Sequence, residues 1–158
     1  MDLFLRLVLV LLRAAFAKQR ITLEEAARLT FRLGRSDLSG QGLKQARYSS
    51  FADLGVVHFL ARSGVLSVVR KKGWAPLLAA REVEVLAPVP GKGPLIVETR
   101  LLGWDERYTC FEHRMCVEGV EIARVRSIGR LAAKGSKSPL IAKMLAALGR
   151  NPEEMRPA

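Results

Sequence analysis

The amino-acid sequence predicts an α+β fold, with one long central helix wrapped by a curved antiparallel sheet and extra helices at both termini. Three observations carry that expectation. From Ala46 to Arg62, the residues Phe51, Leu54, Val57, His58 and Ala61 recur at helical spacing, while Val56, Phe59 and Leu60 widen the apolar arc beyond a surface stripe. Most of the chain after Gly73 alternates with period two, as half-buried strands do. The breaks between those alternating runs are short and marked by Gly, Pro and acidic residues, the signature of hairpins. A helix that apolar needs cover on most sides, and a sheet folded around it supplies the cover.

The first segment, residues 1–20, is read as an amphipathic helix. Leu3 to Ala17 is almost unbroken in its apolarity, and Arg6, Arg13 and Arg20, seven apart, would form one narrow polar stripe. The run is short for a membrane span, which takes about 20 residues. It also makes a poor signal peptide, because Asp2 is the only charge ahead of it, although Ala15-Phe16-Ala17 resembles a cleavage site. A helix lying on a membrane or on a partner, a helix packed on its own domain, and a cleaved signal all remain open.

Residues 21–150 then form the main domain. Leu29, Phe31 and Leu33 alternate as a strand should, and Ser36 to Gln45 is a glycine-punctuated polar loop. Ser50 and Asp53 look like a capping box for the central helix. Val65 to Lys72 reads as a second short helix. Four strands follow, at Leu77 to Pro88, Leu95 to Trp104, Arg107 to Val117 and Val120 to Ala132, and a last helix runs from Ser138 to Leu148. The tail, 151–158, reads as loose. Cys110 and Cys116 fall on one face of a strand, roughly 20 Å apart when extended, too far to bridge, so they are expected as reduced, buried thiols.

Charge narrows the possible partners. The formal net charge is +11, yet residues 76–133 carry eight basic and eight acidic side chains and are neutral. The excess lies in residues 1–36, 37–75 and 134–158, at +4, +4 and +3. That distribution fits a face meeting something anionic: a membrane surface, a phosphate-bearing ligand such as coenzyme A, or nucleic acid. The charge is not interleaved with aromatic residues and no reader motif occurs, so nucleic acid is not expected.

Several residues carry a family resemblance. Arg47-Tyr48, Asp53-Leu54-Gly55, Arg62-Ser63-Gly64 and above all Thr99-Arg100-Leu101-Leu102-Gly103-Trp104-Asp105-Glu106, followed by Glu112-His113-Arg114, resemble the thioesterase-like subgroup of hotdog-fold proteins. The resemblance runs from about Leu29 to Leu148. It implies a sheet around one helix, a homodimer or higher assembly, and hydrolysis of acyl-CoA or acyl-carrier-protein thioesters without metal or redox cofactor, coenzyme A being part of the substrate. The reduced cysteines lead one to expect a cytoplasmic protein, and the N-terminal helix one that can be peripheral on the inner face of a membrane. The family loop usually reads Asp-x-x-Gly-His-Met-Asn-Asn before the Arg-Tyr pair. Here the stretch from Asp37 to Tyr48 reads DLSGQGLKQARY, and Gln41 or Gly42, depending on the alignment, stands where histidine is expected.

The chemistry then falls on few residues. Asp37 keeps the Asp-x-x-Gly context and is the expected carboxylate, activating water or attacking directly, with Gln41 as partner to the thioester carbonyl. The amides of Gly40 and Gly42 are further donors near the helix N-terminus. Tyr48 is expected to line the acyl pocket or to cap the helix against the sheet, and Asp53 to cap the helix or touch substrate. Lys44, Arg47, Arg126, Arg130, Lys134 and Lys137 are expected rim contacts for coenzyme A phosphates. His58 is expected as a satisfied core histidine and His113 as a cross-strand or dimer contact. The alternative to hydrolysis is a non-catalytic acyl-ligand binding or scaffold protein that kept the fold without the His-Asn-Asn loop.

Overall fold

The computed structural model describes residues 2–158, so the first residue of the expected 1–20 segment lies outside the described residues. Five strands form one antiparallel sheet, and helix α2 packs against β1, β5, β6 and β7 on one face of it. In chain order the elements are α1 (Leu3–Ala15), β1 (Ala27–Phe31), β2 (Leu38–Ser39), β3 (Gly42–Leu43), α2 (Gln45–Arg62), α3 (Val65–Lys72), β4 (Ala75–Val85), β5 (Leu95–Trp104), β6 (Thr109–Val117), β7 (Val120–Ala132) and α4 (Ile141–Ala147). The sheet order is β1-β5-β6-β7-β4, which leaves β1 and β4 as edges. This is the expected hotdog architecture.

Helix α2 earns its central place by what it buries. Tyr48, Phe51, Ala52, Leu54, Gly55, His58, Phe59 and Leu60 are all buried, on more than one side of the helix. Its first half joins β1, β5, β6 and β7 in one core, where Phe31 and Phe51 meet with ring centroids 5.0 Å apart. Its second half joins α3 and α4 in another, with Phe59 edge-on to Phe111 at 5.3 Å.

The helix begins at Gln45, with Lys44 as its N-cap residue. The expected Ser50–Asp53 capping box is therefore corrected: both residues lie inside the helix, and the Ser50 hydroxyl donates back to the Ala46 carbonyl. The polar loop ahead of α2 also has structure of its own, the small β2–β3 hairpin.

On β1, β5 and β6 the strand faces follow the alternation, whereas β4 is exposed along most of its length. On β5, Leu95, Val97, Thr99 and Leu101 point toward α2, while Glu98 and Arg100 join the outer face. That outer face carries ion pairs between neighbouring strands, Arg28 with Glu98 at 2.7 Å and Arg126 with Glu112 at 3.2 Å. Cys110 and Cys116 share it too, free and half-buried rather than fully buried.

The tail after Asn151, which the sequence leaves loose, is held against β5. Trp104 and Arg156 exchange backbone hydrogen bonds of 2.7 and 3.2 Å, and the Trp104 indole donates to the Glu154 carbonyl at 2.9 Å. Gly103 permits this approach, since any side chain there would collide with the Arg156 carbonyl.

Helix α1 departs most from expectation. Of the expected polar stripe only Arg6 faces inward, while Arg13 stays exposed and Arg20 lies beyond the helix. Val10 is buried in the core, Arg6 is 2% exposed, and Arg13 donates to the Thr30 carbonyl at 3.0 Å.

Candidate active site

Between α2, α3, α4 and the inner faces of β4 to β7 lies a cavity of about 330 Å³. Its walls are largely apolar: Val56, Phe59 and Leu60 from α2, Leu101 and Phe111 from the sheet, and Ile141, Met144 and Leu145 from α4. Five side chains interrupt that lining with polar groups, namely Asp53, Arg81, Thr109, Ser127 and Arg130. An apolar chamber with a few fixed polar groups is the usual form of a small-ligand site.

Asp53 and Arg81 hold the polar edge. Arg81 Nη2 donates to Asp53 Oδ1 at 2.6 Å, its Nη1 reaches the Ser49 carbonyl at 3.3 Å, and its Nε donates to Ser127 Oγ at 3.0 Å. The Arg81 side chain is 10% exposed, whereas the Asp53 side chain is 62% exposed and open to the cavity. Behind them the network runs into the core. Ser127 Oγ lies 3.4 Å from His113 Nε2, and His113 Nδ1 lies 2.9 Å from Thr99 Oγ1. Burial, with Arg81 adding to it, pushes the His113 imidazole down to about 3, so it stays neutral. One ring nitrogen then donates and the other accepts. His113 is thus a cross-strand partner of Thr99, as its strand position implies.

Gly55 lets α2 sit against this pair. A Cβ at position 55 would overlap Thr99 Oγ1 and lie 3.1 Å from His113 Nδ1. His58, one turn further, is 4% exposed, and burial first, then Arg62 and Arg13, pushes its imidazole down to about 4. Its Nδ1 has no partner among the described residues, so the expected satisfied core histidine is corrected to a buried one with an unpaired ring nitrogen.

Asp37 sits elsewhere, outside the cavity lining. It is 0% exposed, and Arg6 of α1 grips it with both guanidinium ends, at 2.8 and 2.7 Å. Gly34 N donates to the same carboxylate at 2.9 Å, and Arg47 Nε lies 3.3 Å away. Burial pushes the carboxyl up, but the hydrogen bonds from Arg6 and Gly34 and the charges of Arg6 and Arg47 outweigh it and hold it below its ordinary value. The Arg6 guanidinium also lies 5.0 Å from the centre of the Phe51 ring.

The other expected residues divide between these places. Gly40 and Gln41 are exposed at the tip of the β2–β3 hairpin, where the Gln41 carbonyl accepts from Val89 N at 2.7 Å. Gly42 lies beside the Tyr48 hydroxyl, and Tyr48, 3% exposed, seals α2 against the sheet. Lys44 is exposed, and Arg126 belongs to the outer face. Of the expected contacts, only Asp53 and Arg130 line the cavity. Arg81, Ser127, Thr99 and Arg6 were not anticipated. Thr99 lay in the quoted motif, but nothing local marked the other three.

A family model described as the thioesterase-like superfamily matches residues 39–148. The chain belongs to that superfamily. No curated protein sequence matches it. Solved structures share its fold at low identity. A hypothetical protein from Thermus thermophilus superposes with a TM-score of 0.67 at 18% identity, over 79% of this chain and 96% of that one. A 1,4-dihydroxy-2-naphthoyl-CoA thioesterase from Synechocystis gives 0.64 at 12%, over 78% and 95%. A thioesterase from Thermus thermophilus, complexed with coenzyme A and zinc, gives 0.61 at 23%, over 78% and 95%. Within the thioesterase-like chain, the quoted motif residues now have physical roles. Thr99 pairs with His113, Gly103 and Trp104 receive the tail, and Asp105 accepts from the amides of Arg107 and Tyr108 to close the β5–β6 turn.

Proposed function

We propose that this thioesterase-like protein hydrolyses the thioester of an acyl-CoA or acyl-carrier-protein substrate, with the Asp53 carboxylate assisting the attack of water. The observation that carries this reading is the apolar cavity of about 330 Å³ with one open carboxylate on its lining. The acyl group would occupy the chamber. Asp53 would take a proton from water as it attacks the carbonyl carbon, and the carbon–sulfur bond would then break, with the thiol leaving as it gains the proton. Arg81 orients the base, and Arg130 is the donor on the same lining for the developing oxyanion.

The sequence assigned the base to Asp37. We favour Asp53 instead, on the ground that both Asp37 oxygens are committed to Arg6 and the side chain has no exposed surface. A second, cationic basin of about 450 Å³ adjoins the cavity through Leu23 and Leu148, with Arg20 and Lys71 on its lining. Its chemistry suits the phosphates of a coenzyme A head group. Several similar structures are of thioesterases whose named substrates are coenzyme A esters, which supports the substrate class.

The second reading, acyl-ligand binding without turnover, draws support from the Arg81–Asp53 pairing, which occupies the carboxylate, and from the missing loop histidine. Purified protein offered a panel of acyl-CoAs separates the two by free thiol release. Turnover is expected, falling about 10²–10⁴-fold in Asp53→Asn, the usual scale of general-base catalysis. Tight binding of acyl-CoA without thiol release would replace hydrolysis with the binding role.

The assembly is part of the same proposal. Strand β4 pairs only with β7 among the described residues, and Leu77, Leu78 and Val85 on it are 40%, 54% and 54% exposed. A second copy pairing along β4 would cover that edge and close the cavity beside Pro76 and Leu78. Sedimentation should show a dimer at micromolar concentration; a monomer would count against it.

A further inference from the structure

Helix α1 is built inside out. A helix on a domain surface ordinarily turns its apolar stripe inward and its charges to water. Here Arg6 and Val10, four apart, face inward with Leu7 packed beside them, Arg6 being bound to buried Asp37, while Arg13 at the rim is exposed and donates to the Thr30 carbonyl. The opposite side presents Phe4 at 71% exposure, Leu5 at 49%, Leu12 at 47% and Phe16 at 81%, with Leu9 and Leu11 between them. Thirteen helical residues make a ridge about 20 Å long. A contiguous apolar ridge of that size is an interaction surface.

The surrounding charge decides the occupant. Lys18 follows the helix, and Arg32 and Arg35 lie on the segment that Arg6 reaches, all exposed. Residues 1–50 hold nine basic and four acidic side chains, and one of those acids, Asp37, is sealed inside. Two copies meeting ridge to ridge would press these cations together in chains that each carry +11. A flat anionic surface with an apolar interior satisfies both the ridge and its flanks. No single helix among the described residues is long and apolar enough to cross a membrane, which leaves a helix lying in the interface plane.

We propose that α1 docks the protein on anionic lipid bilayers, with Phe4, Leu12 and Phe16 entering the headgroup–acyl boundary and the flanking cations meeting lipid phosphates. The occupancy needs no unfolding of α1, because its inner face already binds the domain through Arg6 and Val10.

The test is co-sedimentation of the full chain with vesicles of phosphatidylcholine alone or mixed with phosphatidylglycerol. Wild type should partition onto the anionic vesicles, and Phe4→Glu/Leu12→Glu should reduce partitioning at least about tenfold. Lys18→Glu/Arg35→Glu should weaken it less, and added salt should do the same to wild type. A Phe4→Trp variant, which keeps the ridge apolar, should shift its emission to the blue on anionic vesicles, and this readout stands even if the doubly charged variant folds poorly. Failure of wild type to bind anionic vesicles, or an unshifted Phe4→Trp emission, overturns the proposal. So does a wild-type oligomer that Phe4→Glu/Leu12→Glu halves in mass while vesicle binding is absent, since the ridge would then be covered by a second copy.

Discussion

Asp37 and Asp53 are sixteen residues apart in sequence, each held by an arginine from a distant element, yet the fold gives them opposite surroundings. Asp37 is closed over by α1, with Arg6 aligned on both oxygens and a backbone amide behind it. Asp53 stands on the wall of a cavity, held from one side by Arg81 and 62% exposed on the others. A carboxylate whose lone pairs are all assigned is a structural clamp, and one with a free side can meet water and substrate. Neighbourhood in the chain points to Asp37, while of the two acids only Asp53 lines the chamber. The first acid instead fastens the N-terminal helix.

The largest expected effect that separates the two concerns stability. Arg6→Met leaves Asp37 in a dry site with only Gly34 N and the more distant Arg47, and losing one partner of a buried pair costs about 3–5 kcal/mol. Asp53→Asn removes one side of a partly exposed pair, for which about 0–1 kcal/mol is usual. Urea unfolding of the two variants measures both. Equal losses would erase the distinction between clamp and open carboxylate.

The contrast also explains what could be read from the chain. The central helix was legible because its apolar residues cover more than one side, and the strands because alternation fixes which face is buried. Alternation does not fix ends: β1 runs from Ala27 to Phe31 rather than from Leu29 to Leu33, with the same face inward. The ion pairs were not legible. Arg6 and Asp37 are 31 residues apart and Asp53 and Arg81 are 28, and no local pattern encodes which charges will meet. Water is the ordinary destination of an arginine stripe, so the inward turn of Arg6 needed the buried carboxylate to reveal it. The quoted motif residues marked the right places without saying why. Gly55, Thr99 and His113 come from three separate quoted stretches and converge on one contact.

That contact offers the next way to press the comparison. In Gly55→Ala the new methyl would overlap Thr99 Oγ1 and crowd His113, which is linked through Ser127 and Arg81 to Asp53. Overpacking of this kind costs about 1–3 kcal/mol, against roughly 1 kcal/mol gained in helix propensity. The variant should be destabilised by a net amount on the order of 1 kcal/mol, and under the proposed hydrolytic reading its turnover should slow as Asp53 is displaced. Thr99→Ala removes the overlapping oxygen, so the double variant should be less destabilised than the sum of the two. Simple additivity would show that the network is not shared.

The smallest effect is in the pH dependence of the clamp. The Asp37 carboxyl is held below its ordinary value of 3.8, because Arg6, Gly34 and Arg47 outweigh the upward push of burial. A carboxylate with a depressed folded pKa binds fewer protons in the native state, so it contributes stability above the unfolded pKa and loses it as pH falls through the folded one. Asp37→Asn cannot titrate, so its deficit relative to wild type should be constant from neutral pH down to about 4 and should narrow below that. Other carboxylates in wild type, Glu98 and Glu121 among them, are also lowered by arginine partners, but they are present in both proteins and cancel in the difference. Unfolding curves of the two proteins across roughly pH 3 to 7 would measure it. A deficit unchanged down to about pH 3 would mean that Asp37 draws no stability from its charge, and the grip of α1 would then rest on Val10 and the Phe51 contact instead.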